Sequence, residues 1–348
     1  MGTPVKSYEA REMIERCLKA KLVPYIKGSP ACGKSSIVHQ IARDFNLFVI
    51  DLRLASRVPE DFTGYPRIYE DLNKAGYVPM TTFPVEGDPL PINPKTGEEY
   101  SGWLIFLDEL PLADKDVLKA IYQLIYDKQV GEFNLHERVA IVAAGNLATD
   151  NAMAGELDNT AIQSRLIHME IKVDLESWLM WARSNHIDHR ITSFVNHCPE
   201  LLFKFDPDSS DETFASPRTW EFASLLIKDI EHLTRLDSIL LAGTISEGVA
   251  NQFYGYTKIQ DGLPGIAEII ADPTNIKVPE EPSSLWSLTG LIGYHAKADN
   301  LKQLVKYISR IPKEFQMFTM RELFLRNPKL KTHDAVEDWV IQNAHDLF

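Results

Sequence analysis

Only three cysteines occur in 348 residues, Cys17, Cys32 and Cys198, odd in number and far apart. No disulfide framework is implied, and a reducing compartment suits the chain. No apolar run approaches the ~18 residues that a membrane helix needs. The first thirty residues are broken up by Lys6, Glu9, Arg11, Glu12, Glu15, Arg16, Lys19 and Lys21, leaving no stretch for a signal peptide. Met1-Gly2 opens like a myristoylation site, yet Lys6 stands where that motif needs Ser or Thr. A cytoplasmic protein without membrane contact is expected. Basic residues are also short: 36 Lys and Arg against 49 Asp and Glu, a formal charge of −13. Such a chain is poorly suited to coat nucleic acid through its overall field, although a local basic patch stays open.

What is present is the mix of an ordinary globular protein, 45% apolar and 24% charged residues. The length allows two or three domains at roughly 150 residues each. Ala10, Met13, Ile14, Cys17 and Leu18 form one stripe of an amphipathic helix. Leu22 to Ile26 reads as a short strand, although Pro24 and Lys27 weaken it. A second helix carries Ile37, Val38, Ile41, Ala42 and Phe45 on its buried face. Leu47 to Leu52, Trp103 to Leu107, Val139 to Ala144 and Leu166 to Val173 read as strands, with Val117 to Ile125 as a helix between two of them. The continuous apolar run at 103–107 fits a parallel strand covered on both faces. This alternation predicts a three-layer α/β domain with a parallel sheet. Residues 53–102 hold seven prolines and are too long for a simple connection, so they read as a functional insertion. After Val173 the pattern turns helical, over 174–184, 217–230 and 238–254. The stretch 271–284 looks like a linker, and 301–308 and 318–325 are helical again.

Gly28-Ser29-Pro30-Ala31-Cys32-Gly33-Lys34-Ser35 fits the phosphate-loop pattern GxxxxGK[ST] without a mismatch, and Ser36 follows in the helix. Its glycines let backbone N–H groups face phosphate oxygens, helped by the positive end of the helix. Lys34 reaches the β- and γ-phosphates in this pattern, and the Ser35 hydroxyl binds Mg²⁺. About seventy residues on, the apolar run ends at Asp108-Glu109. A carboxylate at a strand end can sit beside the Mg²⁺ water shell, and its neighbour Glu109 can act as general base toward water.

These motifs, followed by Ala143-Ala144-Gly145-Asn146, Ser164-Arg165-Leu166 and Ser216-Pro217-Arg218, resemble an AAA+ ATPase over roughly residues 10 to 235. The last two, with Val58-Pro59-Glu60-Asp61-Phe62-Thr63-Gly64 in the insertion, resemble the MoxR-type branch, in which an insert interrupts the second helix. The resemblance implies an AAA+ core over 1–173, a helical lid over 174–270 and a C-terminal helical region, 271–348, to which it gives no role. It implies Asn146 as the sensor that holds the lytic water, although a strand-end Asn capping a turn fits the same residue. It implies Arg165 as an arginine finger serving the neighbouring subunit, where the residues alone would also allow a surface arginine paired with Glu156 or Asp158. Arg218 becomes a second sensor, presented on the first helical turn by Ser216 as N-cap and Pro217.

The implied activity is Mg²⁺-dependent ATP hydrolysis in a ring, a hexamer by resemblance, coupled to chaperone-like remodelling of a protein. The implied partner carries a von Willebrand factor A domain on a separate chain. A nucleic-acid motor, as in replication or restriction, is the alternative. ATP rather than GTP is likewise inherited from the resemblance. His186, His189, His197 and Cys198 match no metal-ligand spacing. Cys32 reads as a small residue that fits, with a redox switch as its alternative. Tyr65, Arg67, Tyr69 and Tyr77 read as a protein-contact texture on a projecting insertion.

Overall fold

The computed structural model describes residues 3–150, 160–209 and 211–347. The chain divides into two compact units, Met1–Asp174 and Leu175–Phe348. The first contains α1 (Ser7–Lys19), β1 (Val23–Lys27), α2 (Lys34–Asp44), β2 (Leu47–Arg53), α3 (Glu60–Thr63), β3 (Tyr65–Tyr69), β4 (Lys74–Val78), β5 (Gly102–Asp108), α4 (Lys115–Tyr126), β6 (Gln129–Val130), β7 (Phe133–Asn134), β8 (Val139–Gly145), α5 (Thr160–Gln163) and β9 (Leu166–Glu170).

Five strands form one parallel sheet in the order β2-β5-β8-β1-β9. Alternate residues of β5 serve different layers. Leu104 and Phe106 join Ala10 and Ile14 of α1 and Ile37, Val38 and Ile41 of α2. Ile105 and Leu107 face Val117, Ile121 and Leu124 of α4. That two-sided burial is why the run 103–107 carries no polar residue. The predicted three-layer α/β core is therefore present. Pro24 is tolerated because pairing with β8 begins only at Tyr25, while Pro24 itself lies opposite Ile167 of β9. Phe45 departs from the expected buried face and is 40% exposed. It falls just past the last turn of α2, beside the left-handed Asn46.

Within the insertion, β3 and β4 pair antiparallel into a hairpin whose residues are largely exposed. Phe62 before it and Phe83 after it are buried in the core, with their rings 5.6 Å apart. The segment is thus anchored by these two rings, and the hairpin between them stands out in solvent.

The second unit is helical: α6 (Leu175–Ser184), α7 (His189–His197), α8 (Pro217–Ile227), α9 (Arg235–Ile245), α10 (Glu247–Asp261), α11 (Ile266–Ala271), α12 (Pro282–His295), α13 (Leu301–Ile308), α14 (Lys313–Arg326) and α15 (Asp334–Leu347). The single helix expected over 238–254 is two, broken at Ser246, whose φ of 73° is left-handed. The expected linker is not a free tether. Tyr307 Oη donates to the Lys277 carbonyl and Arg310 to that of Pro273, and Ile276 and Val278 pack on the helical core. Helix α12 packs on both α7 and α14. Close approach requires Gly290 and Gly293, because a Cβ there would overlap Ser193 Oγ and press on Glu322. Arg183 clasps the Glu322 carboxylate with Nε and Nη2, both side chains being about 9% exposed.

No helix among the described residues is long and apolar enough to cross a membrane.

Candidate nucleotide site

Because the sheet is parallel, the carboxyl ends of β1, β5 and β8 lie along one edge, with Lys27 opposite Gly145 and Leu107 opposite Ala143. Ligands of open parallel sheets bind at that edge, where the strand order reverses. The loop after β1 is residues 28–33, and the first residue of α2 is Lys34.

The two loop glycines answer different demands. Gly33 needs its conformation, φ 99°, at the N-cap of α2. Gly28 needs space, since a Cβ would lie 2.8 Å from Cys32 Sγ and 3.1 Å from the Ile171 carbonyl oxygen. Ala31 is also left-handed, φ 60°, which its residue type does not announce. The loop is tied to β8 by Gly28 N–H donating to the Gly145 carbonyl, 3.3 Å. Within the loop, Cys32 N–H donates to Ser29 at 3.3 Å, while Pro30 brings no N–H donor of its own.

Lys34 is 8% exposed and fully engaged. Its Nζ donates to the carbonyls of Gly28 (2.8 Å) and Ser29 (2.9 Å) and to Asn146 Oδ1 (2.9 Å). Ser35 Oγ lies 3.4 Å from Asp108 Oδ2, and the other oxygen of Asp108 accepts from the Glu109 N–H at 2.9 Å. Glu109 is left-handed, φ 59°, an expensive conformation for a side chain of its size. Burial pushes the Cys32 thiol up despite the nearby Lys34 ammonium, which disfavours the reactive thiolate. Ser36 is exposed on the first turn of α2.

The sequence-predicted residues therefore separate into groups. Gly28, Ser29, Cys32, Lys34, Ser35, Asp108, Glu109 and Asn146 are joined by direct hydrogen bonds or contacts. Arg165 is engaged elsewhere in the same unit. Its Nη1 donates to the Ala161 carbonyl at 2.7 Å, and its guanidinium lies 4.3 and 4.5 Å from the ring centres of Tyr122 and Tyr126 on α4. Glu156 and Asp158, its alternative partners, lie outside the described residues. Arg218 belongs to the second unit, exposed at the second position of α8. Ser216 caps that helix by accepting from the Thr219 N–H at 3.2 Å.

Three features escaped the sequence reading, the first being why position 145 must be glycine. Gly145 admits no Cβ, which would fall 2.6 Å from Tyr25 Oη. Asp51 on β2 is raised above the usual carboxylate range by burial and by the Asp108 charge, with His39 Nε2 at 3.8 Å opposing the shift. The tyrosine pair on α4 had a visible signal: two aromatics at i and i+4 off the buried stripe of their helix.

Among the described residues no cluster of His, Cys, Asp and Glu is arranged to hold a metal ion. The hydroxyl and carboxylate oxygens of Ser35 and Asp108 nevertheless form the hard, sparse donor pair that suits Mg²⁺ already carried by phosphates.

No protein-family model matches this sequence, and no curated protein matches it. Among solved structures the chain is similar to a mutant of RuvB from Thermotoga maritima, at 16% identity and a TM-score of 0.41, covering 78% of this chain and 77% of that one. It is also similar to NtrX from Brucella abortus in complex with ATP, at 14% identity and a TM-score of 0.40, covering 92% and 68%.

Proposed function

We propose that this chain is an AAA+ ATPase of the MoxR type that hydrolyses Mg²⁺-ATP. The observation that carries the reading is the set of contacts around Lys34: loop carbonyls on one side, Asn146 on the other, and Ser35 meeting Asp108 one residue on. In this reading Lys34 exchanges these partners for the β- and γ-phosphates. Ser35 and Asp108 would hold Mg²⁺, which would supply charge neutralisation for the phosphates. Glu109 takes a proton from water as the oxygen attacks the γ-phosphorus. The bond from that phosphorus to the bridging oxygen breaks, releasing ADP and phosphate. Asn146 holds the attacking water, and Arg218 is the second sensor by the resemblance. Arg165 acts on the site of a neighbouring subunit, so the working form is a ring, hexameric by resemblance.

The ring is proposed to remodel a protein, with a von Willebrand factor A domain chain as the partner class and the β3–β4 hairpin as the contact. Support comes from the exposed apolar side chains of that hairpin and from the net charge of −13, which opposes a nucleic-acid track.

Steady-state phosphate release with and without Mg²⁺, for the parent and Lys34→Ala, tests the activity. Mg²⁺-dependent turnover by the parent, lost in Lys34→Ala together with nucleotide affinity, is expected. Equal affinity in the two chains would remove the phosphate-loop assignment.

A further inference from the structure

We infer that Tyr122 and Tyr126 are positioning residues for Arg165, holding its guanidinium ready for a site on another subunit. The inference rests on reading Arg165 as the trans-acting finger. Tyr122 and Tyr126 are one turn apart on α4, with ring centres separated by 6.4 Å, and both contact the same guanidinium. The face of a tyrosine ring attracts a guanidinium. Such a ring contact leaves the positive charge unneutralised, whereas a carboxylate partner would neutralise it and occupy its N–H donors. Among the described residues, Nη1 donates to the Ala161 carbonyl and, at 3.3 Å, to Ser164 Oγ. Nε is buried and has no hydrogen-bond partner among the described residues.

A long arginine side chain otherwise samples many rotamers, and a finger must arrive in one. The tyrosine pair restricts that search without spending charge. The residues on either side of the arrangement are suited to it: α5 ends at Gln163, and the turn into β9 at Leu166 delivers Arg165 beside the outer face of α4. Tyr126 is 62% exposed, so it is not required to fill the core.

The test compares four chains with intact Glu109: parent, Arg165→Ala, a Tyr122→Leu/Tyr126→Leu double variant and a Tyr122→Phe/Tyr126→Phe double variant. Turnover and ATP dissociation constants are measured separately. The leucine variant should lose about 10²-fold in kcat, the scale of a reacting group displaced by an ångström. Its ATP affinity should stay within about twofold of the parent, because only the transition state is affected. The phenylalanine variant, which keeps both ring faces, should retain parent kcat. Mixing the leucine variant with a Glu109→Gln chain, whose finger is intact, should restore turnover at mixed interfaces. Parent-like kcat in the leucine variant, with Arg165→Ala inactive, overturns the tyrosine assignment and leaves the finger standing. Parent-like kcat in Arg165→Ala removes the finger reading and this inference with it. Should the double leucine variant fail to fold, Tyr126→Leu at the exposed position carries the test, and unchanged kcat there overturns the inference.

Discussion

Lys34 Nζ and Asn146 Oδ1 meet at 2.9 Å although 112 residues separate them in sequence. The bond joins the first turn of α2 to the end of β8, so the lysine that would grip phosphates already touches the residue that would hold water. Phosphate oxygens bearing full charge compete well against a neutral amide for an ammonium. Asn146→Ala should therefore leave ATP affinity within about threefold of the parent while lowering kcat by about 10- to 10²-fold, measured by equilibrium binding and turnover. An unchanged kcat would return Asn146 to the role of a turn cap.

Gly28→Ala should weaken nucleotide binding about tenfold or more, since overpacking of this kind costs about 1–3 kcal/mol. The new methyl would meet Cys32 Sγ and the Ile171 carbonyl oxygen. Adding Cys32→Ala removes the nearer obstacle and should recover part of the loss, as read by isothermal titration of both variants. Equal affinities for Gly28→Ala and the parent would mean that the loop has slack at this point.

Much of the core was legible because its signals are local. The unbroken run 103–107 specified a strand covered on both faces, and the loop residues specified a strand-to-helix turn. Ser216 and Pro217 likewise announced the start of α8 through their capping chemistry. What escaped depends on neighbours distant in sequence. Gly145 is required by Tyr25 and Pro111, and Pro24 is allowed by where the β8 ladder begins. The residue at the break itself is Ser246, neither glycine nor proline. The helical unit hides its logic in pairs such as Gly290 with Ser193 and Arg183 with Glu322, which no periodicity reveals.

The hairpin in the insertion divides the suspected contact residues between two faces. Directly paired residues share a face. Pro66, Ile68, Ala75 and Tyr77 form one, while Tyr65, Arg67 and Tyr69 lie on the other, where Arg67 covers the Tyr69 ring. Ile68 is 76% exposed. Binding of a protein partner, captured on Glu109→Gln in the ATP state and resistant to nuclease, should be lost in Ile68→Ser/Tyr77→Ser while turnover persists. Recovery of nucleic acid alone, with DNA- or RNA-stimulated turnover that falls steeply with salt, would favour the motor reading instead.

His189, stacked on Tyr294 at 4.9 Å, gives the helical unit an acid-sensitive point. Burial lowers its pKa to about 4, against the opposing pull of Asp188. A folded-state value below the unfolded ~6.5 means that the unfolded chain takes up the proton first. Stability from this residue is complete above pH 6.5 and is lost as pH falls toward 4. Chemical denaturation at pH 7 and pH 5 should show the parent losing on the order of 1–2 kcal/mol more than His189→Gln. Equal losses in the two chains would mean that His189 is protonated in the fold.

The most direct measurement of the proposed chemistry is on Glu109→Gln, comparing ATP binding with phosphate release in the same preparation. Lys34, Ser35, Asp108 and Asn146 are untouched by the change, and amide for carboxylate removes only the base. ATP affinity equal to the parent is expected, with turnover lowered by about 10²- to 10⁴-fold, the usual contribution of a positioned general base. Parent-rate phosphate release from Glu109→Gln, or an active parent whose rate is indifferent to Mg²⁺, would contradict the proposed chemistry.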